Sequence, residues 1–68
     1  MNLLNANGNV EIVLIKLNKQ EKTQLANYYL TEKTRIKIIK KCLSGVIVQV
    51  GVNQVAIDKE WAGSILVK

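Results

Sequence analysis

Gly45-Val46-Ile47-Val48-Gln49-Val50-Gly51-Val52-Asn53-Gln54-Val55-Ala56-Ile57-Asp58-Lys59-Glu60-Trp61-Ala62-Gly63-Ser64-Ile65-Leu66-Val67 reads as strand, tight turn, strand, short helical turn, strand. Val46, Val48 and Val50 alternate with Ile47 and Gln49, the period of a strand with one face on a core. Gly51-Val52-Asn53 is the expected turn, because glycine and asparagine tolerate positive φ. Asp58 to Ala62 then forms one helical turn, with Asp58 placed to cap it, before the last strand at Ser64–Val67. That order predicts a small closed β-barrel, since closure removes the open edges that invite aggregation.

Upstream, Thr34 to Cys42 is a second strand region. Ile36 and Ile38 point one way, Arg35 and Lys37 the other, and Ile39 breaks the alternation, which predicts a bulge or sharp bend. Before it, Asn18 and Glu21 have the spacing of a capping box, and an amphipathic helix is expected over 19–30, with Leu25, Ala26, Tyr29 and Leu30 toward the barrel. Val10 to Leu17 is β-branched and apolar on both faces, so it reads as a strand buried on both sides. Met1 to Asn9 reads as a polar, partly mobile lead-in with a turn at Asn7-Gly8-Asn9. The expected architecture is mainly β, with about five strands, one short α-helix and a one-turn helix before the last strand. All 68 residues form one domain.

The composition excludes more chemistry than it offers. There is no histidine, which removes the commonest general base and the commonest transition-metal ligand. A single cysteine, Cys42, holds neither a zinc ion nor an internal disulfide, points to a reducing compartment, and is expected as a small buried hydrophobe. The five acidic residues are scattered, and Asp58 with Glu60 is too small a set for a hard cation. No glycine-rich phosphate loop, signal peptide or membrane-spanning run is present. The chain is therefore expected to be no enzyme, with no cofactor, no metal site, no small-molecule substrate and no direct membrane insertion.

What remains is surface. The net charge is +5, and Lys33, Arg35, Lys37, Lys40 and Lys41 lie within nine residues. Such a stripe is a solvated strand face, a docking surface for an acidic protein or anionic lipid, or a nucleic-acid track. The last is disfavoured because no aromatic alternates with the lysines. Tyr28-Tyr29-Leu30 is the second candidate, either core with a surface Tyr28 or an apolar docking patch. Trp61 is expected to plug a barrel mouth.

The order of elements from Val10 to Val67 resembles the ferrous iron transport protein A (FeoA) family, an SH3-like barrel. Gly45 to Ile57 is similar to that family's Gly-Pro-Ile-x-Val-x-Val-Gly-x-x-x-Ile-Ala-Leu run, and Trp61-Ala62 with Ile65-Leu66-Val67 stand where the family has Leu-Ala and Ile-x-Val. Tyr29 and Lys33 occupy the places of two family glycines after the helix, which suggests a longer helix or a different turn, and Val46 replaces a proline. The resemblance implies a small cytoplasmic accessory or regulatory protein of bacterial ferrous iron uptake, recruited to the inner face of the membrane by contact with the ferrous iron permease. Transition-metal binding comes with the resemblance alone, since no ligand set here supports it. The contact residues it suggests are Tyr28, Tyr29, Leu30, Lys33, Arg35 and Lys37. The alternatives are a nucleic-acid-binding small barrel and a stand-alone interaction module for another partner, such as a metal-responsive repressor.

Overall fold

The computed structural model describes residues 1–68. Its elements are β1 (Asn9–Ile15), α1 (Lys19–Ala26), β2 (Arg35–Cys42), β3 (Gly45–Val50), β4 (Asn53–Asp58), α2 (Lys59–Gly63) and β5 (Ile65–Val67). The strands form one antiparallel sheet in the order β4-β3-β2-β1-β5. The mainly β, SH3-like architecture expected from the sequence is the architecture found.

The sheet curls around a core of 16 buried residues with no buried polar or charged side chain. Ile12, Leu30, Val46, Val48 and Ile65 are its most deeply enclosed large members alongside Leu3. Burial of this kind contributes about 25 cal/mol per Å² of apolar surface and drives the fold.

Closure differs from the expectation. β5 does not pair with β4, and α2 carries the chain from one to the other. The outer edge of β5 is covered instead by the start of the chain. Leu3 donates its amide to the Ile65 carbonyl (2.9 Å), and Val67 donates to the Met1 carbonyl (2.8 Å). Leu3 and Ala6 enter the core, so Met1–Asn9 contributes packing that its polar composition does not announce.

Two bulges set which side chains face inward. In β2 the register against β3 shifts between Ile38 and Lys40, so Ile39 is the extra residue, as its break in alternation predicts. In β1 the register against β5 shifts between Ile12 and Leu14. Val10 and Ile12 point inward, the bulge resets the phase, and Ile15 points inward again. Val13 and Leu14 are left outside, so β1 is not buried on both faces.

The β3–β4 turn is two residues long, because Val50 pairs with Asn53. Gly51 has φ +61° and Val52 does not take positive φ, the pattern of a type II′ hairpin turn. Asn53 belongs to the strand and not to the turn.

Candidate partner-binding surface

The capping box forms as its spacing demands. Asn18 Oδ1 accepts from the Glu21 amide (2.8 Å), and Glu21 Oε1 accepts from the Asn18 amide (3.1 Å). The helix it starts is shorter than the expected 19–30. α1 stops at Ala26, and Leu25 is its one buried side chain, while Ala26 is exposed.

A Schellman motif closes the helix. Leu30 donates to the Leu25 carbonyl (3.0 Å) and Tyr29 to the Ala26 carbonyl (2.9 Å), with Tyr29 in the left-handed region at φ +65°. Leu25 and Leu30, the two residues this motif brings together, are both buried. Tyr29 therefore occupies the position where glycine is ordinarily required. Lys33 does the same four residues on, at φ +75°. These are the only two non-glycine residues with positive φ. Both positions where the resemblance expects glycine thus take a left-handed conformation. The helix is not lengthened; tyrosine and lysine are held in a glycine conformation.

That turn sorts the expected contact residues. Leu30 has no exposed surface and supports the corner from beneath, whereas Tyr28 and Tyr29 are 57% and 66% exposed. They come together with Asn53, Gln54 and Val55 at the start of β4. Val52, at the tip of the adjoining hairpin, is 95% exposed. Alternation gives β4 no hint of this meeting, which is created by the Schellman turn folding back over the sheet. Next to it a groove of about 420 Å³ runs between α1 and the unpaired outer edge of β4, lined by Leu25, Tyr28, Val55, Ile57 and Trp61 among others. Trp61 is half-buried there, packed on the core on one side and facing the groove on the other, so it does not plug the barrel as a fully buried residue.

After the corner the chain returns to the sheet through Glu32 and Lys33. Lys33 donates to the Ile12 carbonyl (2.6 Å), and the Glu32 carboxylate accepts the Ile15 amide (3.1 Å), supplying a ladder acceptor beyond the end of β2. Glu32 also lies 4.0 Å from Lys22 Nζ, the only ion pair in the molecule. Arg35, Lys37, Lys40 and Lys41 on β2, with Lys33 before it, are therefore exposed cations without a paired carboxylate. From Lys33 to Ile57 there is no acidic residue, and outside that stretch five cations match five acids. Lys33 and the four cations of β2 thus equal the whole net charge of the protein. Across the sheet, Lys37 faces Gln49 and Lys40 faces Ile47, so no aromatic platform accompanies the charge.

Cys42 departs from its expected burial. It is exposed at the end of β2, within 3.7 Å of Ser44 Oγ and donating to the Gly45 carbonyl (3.4 Å). Its pKa is lowered from the ordinary thiol value, first by the Ser44 hydroxyl and then by backbone contacts at Ser44 and Gly45, with a smaller contribution from Lys40. Lowered pKa and exposure favour the thiolate, so the native protein is expected to react with a disulfide reagent at neutral pH faster than an unperturbed thiol. Ser44→Ala should move the midpoint of the rate–pH profile upward. An unchanged profile would show that the hydroxyl does not stabilise the thiolate.

Asp58 stands at the N-cap of α2 but makes no side-chain cap bond. No group of three metal-ligating side chains comes together, and no helix is long and apolar enough to cross a membrane.

No protein-family model and no curated protein matches the sequence. Solved structures do. The iron(II) transport protein A of Clostridium thermocellum superposes over 100% of this chain at a TM-score of 0.88 and 15% identity, and the chain spans 44% of that protein's length. The FeoA protein of Chlorobium tepidum superposes over 98% of the chain at 0.87 and 14% identity, with 68% of its own length covered. At those identities the likeness speaks for the fold. A crystal structure of an iron uptake regulatory protein (FeoA) is similar over 100% of this chain and 93% of its own, at a TM-score of 0.78 and 27% identity. The fold that these structures share with the chain identifies it as a FeoA-like, SH3-like barrel.

Proposed function

We propose that this protein is an accessory or regulatory component of bacterial ferrous iron uptake that acts from the cytoplasmic side by contact with the membrane ferrous iron permease. Likeness to iron transport and iron uptake regulatory proteins supports the process. The contact surface rests on Tyr29. An exposed tyrosine in the left-handed region costs roughly 1–2 kcal/mol that glycine would not. Strain of that size at a surface position is understandable where the side chain itself has work to do. Tyr28 and Tyr29 supply the apolar docking area, and Lys33, Arg35 and Lys37 orient an acidic partner. Leu30 holds the corner from within the core.

The mechanism is regulation by docking, with no bond made or broken in this chain. Charge reversal at Arg35→Glu with Lys37→Glu tests it. Both side chains are exposed, and Arg35 faces Glu11 across the β1–β2 ladder, so reversal there sets two carboxylates opposite each other and should cost about 1 kcal/mol, with the fold retained. Permease association should weaken at least about tenfold, with a matching loss of iron uptake in cells carrying the variant. Undiminished association would place the contact elsewhere. The nucleic-acid alternative separates cleanly, because it requires RNA or DNA binding that falls steeply with salt.

A further inference from the structure

We propose a second, independent contact: the β2–β3 hairpin tip docks on an anionic lipid surface, peripherally and without a spanning element. The tip is a two-residue apex, Leu43-Ser44, closed by the Cys42–Gly45 pair. Leu43 is 98% exposed, the most exposed large hydrophobe in the molecule. Lys40 and Lys41 lie immediately below it, with the bulged Ile39, 41% exposed, next along the strand. An apolar apex with Lys40 and Lys41 along its β2 side, and Lys59 beside Asp58 and Glu60 across a hollow on the other, suits the boundary between headgroups and acyl chains, where the leucine leaves water and the β2 ammonium groups stay at the phosphates.

Charge complementarity selects the anionic surface. Lys33 and the four cations of β2 together equal the protein's net charge of +5, Arg35 alone faces a carboxylate, Glu11, across the β1–β2 ladder, and none of the five makes an ion pair. Asp58 and Glu60 share a hollow with Leu43, Ser44 and Lys59, and neither Lys40 nor Lys41 lines it. A nucleic acid would satisfy the lysines but has no use for an exposed leucine, and finds no aromatic platform for its bases on this strand. A protein partner fits less well, because leucine is under-represented among interface hot spots and the apex is convex. The tyrosine corner adjoins the other end of β3, roughly 20 Å away by strand rise, so both contacts can be made at once.

The test is co-sedimentation of the full chain with vesicles of phosphatidylcholine containing about one-third phosphatidylserine, against pure phosphatidylcholine, at low salt. Binding is expected to the anionic vesicles only and to fade as salt approaches about 0.5 M. Leu43→Ser should weaken it roughly fivefold or more, and Lys40→Gln with Lys41→Gln at least about tenfold. Lys19→Gln with Lys22→Gln on α1 should leave it unchanged. All these positions are exposed, so circular dichroism should report an intact fold in each variant. Absence of binding at low salt overturns the proposal. So does binding that survives the Leu43 change and is competed by an RNA oligonucleotide, which would make the strand a general polyanion binder.

Discussion

Gly45→Ala is expected to leave the protein largely unfolded at physiological temperature. Gly45 is buried and has no left-handed φ, so any residue could adopt its backbone conformation; the obstacle is space. A Cβ built there would run into the Ile57 carbonyl oxygen, with the Ile57 carbonyl carbon at 3.0 Å and Asp58 Cα at 3.2 Å. All three are backbone atoms of β4, which the ladder pins by the pairs Gly45–Asp58 and Val46–Ile57. Beside them, the Lys59 amide bonds to the Ser44 carbonyl (2.9 Å) and fixes the start of α2. Relief would require prising β4 from β3 where α2 begins. Overpacking against rigid backbone costs about 3 kcal/mol or more, and a domain of this size holds only about 5 kcal/mol. A urea titration should show the midpoint collapse. Gly63→Ala is the matched control: the nearest atom to its new Cβ is Leu4 Cδ1 at 3.5 Å, an ordinary contact. Its effect should stay below about 1 kcal/mol. Equal stability of Gly45→Ala and wild type would show that the strands are not so closely apposed.

Tyr29→Gly should move stability and binding in opposite directions. Removing a left-handed tyrosine returns roughly 1–2 kcal/mol of strain, and the extra freedom of glycine in the unfolded chain takes back about 0.5–1 kcal/mol. A net gain approaching 1 kcal/mol corresponds to a rise in Tm of up to about 4–8 °C for a domain of this length. The same change deletes the exposed ring proposed as an anchor, and loss of an aromatic anchor costs about 2 kcal/mol, close to thirtyfold in Kd. Tyr28→Ala separates the two effects, since Tyr28 lacks positive φ and should weaken binding with no gain in Tm. A more stable Tyr29→Gly variant with unchanged permease affinity would reduce Tyr29 to an unexplained strained residue.

Local rules made much of the fold legible. The alternation in β3 and β4, the extra residue Ile39 and the Asn18–Glu21 box are all decided within a few residues, and all three are found. The features that escaped depend on distant partners. Leu3 and Ala6 become core only because β5 offers an edge for Met1–Leu3 to cover. The bulge in β1 is hidden in a run, Ile12 to Ile15, that is apolar at every position and so has no alternation to break. Glu32 reaching the Ile15 amide spans 17 residues and has no short-range signature. At the tyrosine corner, the absence of glycine argued for a continued helix. Burial of Leu25 and Leu30 outweighs that preference, because only a left-handed residue between them sends both inward. The basic stripe was visible as a count of cations, while the meeting of Arg35 with Glu11 across the ladder, and the lack of an ion pair at any of the five, became visible only in three dimensions.

Docking on the permease is tested most directly by equilibrium binding of the purified protein to a detergent-solubilised ferrous iron permease from the same organism, measured at low salt and near 0.5 M salt. The expected result is saturable binding that weakens with salt, weakens again in the Arg35→Glu/Lys37→Glu variant, and falls about thirtyfold in Tyr29→Gly. No binding by the wild-type protein at low salt, up to roughly 100 μM, would contradict a docking role, since a specific surface of aromatic anchors and complementary charge should exceed that affinity.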